Sequence, residues 1–223
     1  MKKQLLWVFS ALAVLLGPGL GRAEPSSKEG NPMGSVGEQH NLYLSCLLKL
    51  DLPAPPKDSF VALVDTCGFD AGMTGEELSA LYSSLIPEDP TAPMDTLLEP
   101  WRKYLSDQQY AYLSTMERIL ESQTPDEAQA SLAELENEAV QSLGRERADL
   151  AVLAGLSTAR ASLSFTTERL AQTGGQRITP SKLPRWLTIV IHDVIGALEG
   201  YLESGTFAGA LSAGVVASLK AWK

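Results

Sequence analysis

Residues Trp186 to Trp222 read WLTIVIHDVIGALEGYLESGTFAGALSAGVVASLKAW, and this is the longest weakly charged apolar segment after residue 23. At 3.6 residues per turn, Leu187, Ile191, Val194, Ile195, Leu198, Tyr201 and Leu202 fall in one sector, while Thr188, His192, Glu199 and Glu203 share the next. That pattern predicts a half-buried helix. Gly205 and Thr206 interrupt it, and a second helix follows with Phe207, Leu211, Val215, Leu219 and Trp222 on one side. Its other side carries Gly205, Gly209, Ala213 and Ala217, a small residue at every fourth position that lets another surface approach closely. The uncharged run Ser204 to Leu219 is 16 residues long, short of the roughly 20 needed to cross a bilayer. The expectation is a buried pair of core helices, with a membrane-inserting or partner-binding face on Gly205, Gly209, Ala213 and Ala217 as the alternatives.

Upstream, the chain has the start of an exported protein. Lys2 and Lys3 precede an apolar run from Leu5 to Leu16, then Gly17-Pro18-Gly19 and a small-x-small site at Gly21-Arg22-Ala23, the organisation of a secretory signal peptide cleaved after Ala23. No cysteine follows the site to carry a lipid. Cleavage takes Lys2, Lys3 and Arg22 from 18 basic residues set against 27 acidic ones, so a formal charge of −9 becomes −12. Such a surface repels polyanions and excludes nucleic acid as a partner. Residues 24–35, rich in Gly, Pro, Ser and charge, read as a flexible lead-in, and residues 36–223 as one helical domain.

Both cysteines, Cys46 and Cys67, lie beyond the signal peptide, and in an oxidising compartment two thiols most simply form one disulfide. The Leu52-Pro53-Ala54-Pro55-Pro56 linker between them turns one helix back on another. Two buried thiols or one reactive thiol are the alternatives.

Helix signals fill the rest. A first helix from Val36 carries Leu42, Leu44, Cys46, Leu47, Leu48 and Leu50 and ends at the proline linker. Asp58 reads as the N-cap of a second, which Gly68 stops. Thr74 with Glu77 forms a capping box for a third helix through Leu78, Leu81, Leu85 and Ile86. Pro100 splits or kinks a short piece from Asp95 to Leu105. Ser106 with Gln109 opens another helix, and Thr124-Pro125-Asp126-Glu127 a further one. Arg145 to Gln172 is a long helix ended by Gly174-Gly175. Strand signals are almost wholly missing. The fold class is therefore all-α, a single-domain bundle of seven to nine helices with a C-terminal apolar helical pair.

Few residues carry recognisable chemistry. The two histidines, His40 and His192, are followed by Asn41 and Asp193, and a fold that packs the first helix against the carboxyl-terminal pair could gather them with Glu38 into a two-histidine, carboxylate metal site. Two histidines satisfied by hydrogen bonds is the plainer expectation. Cysteine–histidine catalysis would need an unpaired cysteine near one ring. Asp65 to Glu76 has acids at both ends like a calcium loop, but Phe69 and Asp70 stand where a ligand and the required glycine belong. The reading implies no cofactor and leans against an enzyme.

The run Asn31-Pro32-Met33-Gly34-Ser35-Val36-Gly37-Glu38-Gln39-His40-Asn41 resembles the opening of a group of uncharacterised exported bacterial proteins with an N-P-x-x-x-V-G-x-x-H-N pattern and a small-residue-rich C-terminal tail. Ser157-Thr158-Ala159-Arg160-Ala161-Ser162 and Asp193-Val194-Ile195-Gly196-Ala197 are similar to two further segments of that group, although the tail here is less glycine-rich. The resemblance implies a bacterial source and a secreted or periplasmic location, and it implies no catalytic residues. Two functional classes follow as expectations. One is an exported helical protein acting on an unknown protein partner, by binding or a structural role. The other is a membrane-active, bacteriocin-like or pore-related protein that places Leu187 to Trp222 at a membrane surface. A hydrolase is a third, and it needs a polar pocket gathering His40 or His192 with an acid or a cysteine.

Overall fold

The computed structural model describes residues 30–50, 52, 56–89, 92–172 and 184–223, so the expected signal peptide and its cleavage site lie outside the described residues. Nine α-helices and no strand are present among them: α1 (Gly34–Leu47), α2 (Pro56–Asp65), α3 (Gly75–Tyr82), α4 (Met94–Leu98), α5 (Asp107–Ser122), α6 (Pro125–Ser142), α7 (Arg147–Gln172), α8 (Arg185–Ser204) and α9 (Phe207–Trp222). They form a single all-α domain.

Local chemistry sets most boundaries. Thr74, Ser106 and Thr124 each accept a hydrogen bond from the backbone of the third helical residue, and the Glu77, Gln109 and Glu127 side chains reach back to the cap, giving three complete capping boxes. Asp149 plays a related part for α7 from within its first turn: its carboxylate accepts from Gly144 N at 3.0 Å and from Gln109 Nε2 at 2.6 Å. Pro100 sits in a tight 3₁₀ segment, Glu99–Tyr104, that continues α4 in a narrower coil, consistent with a proline that donates no backbone hydrogen bond.

The apolar core falls into two halves joined by the C-terminal hairpin. Helices α4 to α7 pack around α8, whereas α1, α2 and α3 close over α9. Burial of these side chains supplies the dominant favourable free energy of folding. Gly205, with φ of +67°, caps α8 in the left-handed region and reverses the chain into α9. The two helices then lie unusually close: a Cβ on Gly200 would stand 2.2 Å from Gly209 O and 2.8 Å from Ala213 Cβ. A disulfide joins Cys46 at the end of α1 to Cys67 just after α2, with Cα atoms 5.9 Å apart.

Several expectations are corrected. The α8 helix is buried along most of its length, not on one side alone: His192 is 1 % exposed and Glu199 6 %, because α7 and α9 pack along it, Asp89 and Lys220 face His192, and Trp101 lies against Glu199. The lead-in is not loose throughout: Asn31 Nδ2 donates to Glu136 Oε1 at 2.6 Å and to Leu153 O at 2.9 Å, and α1 begins at Gly34, ahead of Val36. Asp58 lies inside the first turn of α2 rather than at its N-cap. The third helix stops at Tyr82, and Ser83–Leu85 is a 3₁₀ turn. Leu42 is 65 % exposed, since Val36, Gly37, His40, Leu44 and Leu47 set the inward face of α1 and Leu42 falls opposite. Likewise Leu78 and Tyr82 turn inward on α3 and leave Leu81 outside.

Candidate functional site

Three helices bring the chemistry-bearing residues together. The α1 helix lies against α7 with almost no gap, because Gly37 has no side chain: a Cβ there would stand 2.3 Å from Ser157 O. Ser157 Oγ donates to Gly34 O at 2.7 Å, and Asn41 Nδ2 donates to Ala161 O at 2.8 Å. Ion pairing of Arg160 with the buried Glu136, 2.7 Å apart, ties α7 to α6. Residues of the segments 31–41 and 157–162, with Asp193, thus form a polar seam where α1, α7 and α8 meet.

At its centre sits Asp193, fully buried on α8. Ser162 Oγ of α7 donates to its Oδ2, and His40 Nε2 of α1 lies 3.9 Å from the same oxygen. His40 Nδ1 is 3.1 Å from Asn41 Oδ1. Because the Asn41 amide nitrogen is committed to Ala161 O, Nδ1 is the donor in that contact and Nε2 faces the carboxyl group. Burial pushes the Asp193 carboxyl up to about 6, while His40 and the Ser162 and Ser218 hydroxyls draw it back. Hydroxyl, carboxyl and imidazole are all present, yet the order is wrong for nucleophilic catalysis. The acid stands between serine and histidine, so the imidazole is not placed to take the serine proton. His40, Ser162 and Asp193 are each 0 % exposed, so a substrate has no path to them.

The remaining expected ligands do not join. His192 immediately precedes Asp193 but points elsewhere, as consecutive helix residues must. Its Nδ1 donates to Thr188 O at 2.9 Å, and burial pushes the imidazole down, with Lys220 adding to the shift and the Thr188 carbonyl and Asp89 opposing it. Glu38 is exposed on the far side of α1. No group of three or more His, Cys, Asp or Glu side chains among the described residues is arranged to hold a metal ion. Both cysteines are in the disulfide, so neither is available as a thiol. On the expected membrane or partner face, Gly209, Ala213 and Ala217 are buried, with Gly209, Ala213 and Ala217 lying against Gly196 and Gly200 of α8, and Gly205 is the turn residue between the helices.

An open feature was not anticipated. At the C-terminal end of α8, Trp101, Tyr104, Arg147, Ala148, Leu202 and Glu203 line a cleft of about 460 Å³. The Trp101 and Tyr104 rings, three residues apart on the 3₁₀ segment, stand 5.9 Å apart and tilted by 45°. Arg147 Nη1 donates to Leu202 O at 3.2 Å, satisfying one of the free carbonyls that end α8. Beneath the cleft, one helical turn before Glu203, Glu199 is buried beside Trp101; burial pushes its carboxyl up to about 8, against a smaller downward pull from the indole. The only signals of this site in the sequence are the i, i+3 aromatic pair and the i, i+4 acids. Comparison with protein-family models, with curated proteins and with solved structures finds no match to this chain.

Proposed function

We propose that this is an exported helical protein, secreted or periplasmic and of bacterial origin, that works by binding rather than by catalysis, with the cleft at the end of α8 as its receptive surface. The observation that carries this reading is the contrast between the two polar sites. The cluster that has a hydroxyl, an acid and an imidazole is sealed and misordered, whereas the open cleft offers aromatic, apolar and charged walls without a paired nucleophile and base. The Cys46–Cys67 disulfide supports an oxidising compartment, and the signal-like opening supports export. Full-length protein assayed on ester, peptide, glycoside and phosphate-ester substrates is expected to show no turnover above background. Turnover abolished by both Ser162→Ala and His40→Ala, with the fold intact by circular dichroism, overturns the proposal.

A membrane-active role is the second reading, favoured by one observation: the most apolar helices form a hairpin at the centre of the bundle, and its buried acids, Asp193 and Glu199, hold their protons more readily than free carboxyl groups do. No helix among the described residues is long and apolar enough to cross a membrane. Dye release from anionic vesicles at neutral and at acidic pH separates the two. Leakage on acidification supports the second reading, and its absence at both pH values removes it.

A further inference from the structure

We infer that the cleft at the end of α8 takes a small organic cation, an ammonium group carried on an apolar body; the inference rests on reading that cleft as the receptive surface. Three observations converge on a cation. First, the rings of Trp101 and Tyr104 form two walls, and a pair of tilted aromatic faces is the arrangement that attracts alkylammonium groups through the negative face of each ring. Second, Glu203 supplies a carboxylate at the rim. Third, the chain as a whole carries a formal charge of −9, a field that draws cations in.

Two cations of the chain oppose such a ligand: Lys103, whose ammonium lies 4.9 Å from the Tyr104 ring centroid, and Arg147, which is held at the end of α8. Its guanidinium donates to Leu202 O and lies flat against Gly205, where an added Cβ would stand 2.6 Å from Nη2. It therefore offsets the helix end and closes one side of the cleft. Ala148 and Leu202 provide the apolar contact for the body of the ligand. A volume of about 460 Å³ lies within the usual range of small-molecule clefts, roughly 300–1,000 Å³.

The probe that tests this is benzyltrimethylammonium, titrated into the full chain by calorimetry beside benzyl alcohol and phenylacetate. Saturable binding of the cation is expected, at least about ten-fold tighter than that of either other probe, and weakened by added salt. Glu203→Gln and Tyr104→Ala, both at exposed positions, are expected to weaken the cation by about three- to five-fold each, while Leu42→Ala leaves it unchanged. Failure of all three probes to bind, or a neutral probe binding as tightly as the cation, overturns the inference. Tightest binding of phenylacetate, lost in Arg147→Gln, also overturns it but leaves the cleft standing as the receptive surface. Enzymatic turnover through the buried cluster, in contrast, overturns the proposed function without bearing on which charge the cleft prefers.

Discussion

Glu199 shows how one buried carboxyl group can set the pH response of the whole protein. Its folded value of about 8 stands above an ordinary 4.5, so the unfolded chain releases this proton more readily than the folded one. Stability therefore falls as pH rises between those two values and is insensitive to this group below them. Asp193 acts in the same direction between 3.8 and about 6. Glu199→Gln is expected to stabilise the protein by about 1–3 kcal/mol above the upper value and by almost nothing under strongly acidic conditions. Thermal unfolding of both proteins across pH measures this, and a variant whose Tm gain is the same at every pH contradicts it. At this scale the sequence was partly legible. His40 and Asp193 were recognisable as candidates, since the chain has only two histidines and each is followed by a side chain with an oxygen ligand, Asn41 and Asp193. Ser162 was not, because a hydroxyl in a run of alanines and serines announces nothing until the crossing of α7 over α8 is known. Glu199 and Glu203 looked like a solvated face, and only the covering of α8 by its neighbours separates a buried acid from an exposed one.

Between elements, the closest approach outside the C-terminal hairpin is α1 on α7. The atoms that a Cβ on Gly37 would meet are Ser157 O and the Ala161 side chain, at 2.3 and 2.7 Å. Ser157 O belongs to the backbone, so no rotamer change relieves the clash and α1 must move away, disturbing the contact of His40 with Asp193 as it does. Gly37→Ala is expected to cost about 2–4 kcal/mol in denaturant unfolding, whereas Gly30→Ala, with nothing within 4 Å of its Cβ, stays within about 0.5 kcal/mol of the parent. Equal effects at the two positions would show that the α1–α7 contact is looser than described. Capping chemistry made the starts of α3, α5 and α6 readable to the residue, because a hydroxyl and an acid or amide three positions on can satisfy orphan backbone groups in only one register. The start of α1 was not readable: Asn31 is held by Glu136 and Leu153, contacts more than a hundred residues away in the chain.

For the molecule as a whole, an all-α bundle was legible from helical periodicity and the scarcity of strand signals, and the pairing of Cys46 with Cys67 from the compartment that the opening segment implies. The division of labour was not, since periodicity cannot say which helix becomes the middle of the bundle. The disulfide closes a loop over a separation of 21 residues in the half of the core built on α9. Reduction, or the double substitution Cys46→Ala and Cys67→Ala, is expected to lower stability by about 3 kcal/mol while leaving the helix content intact, because α4 to α8 pack without it. Thermal scans with and without reductant check this, and an unchanged Tm would mean that the bridge constrains nothing. The hairpin at the centre has a further consequence for biosynthesis. Helices α1 to α7 leave the ribosome before the two that they enclose, so each half of the nascent bundle lacks its nucleus until α8 and α9 emerge. Until then neither half of the core has the helix it packs on, and a chain that stops ahead of Arg185 is expected to lack the native fold.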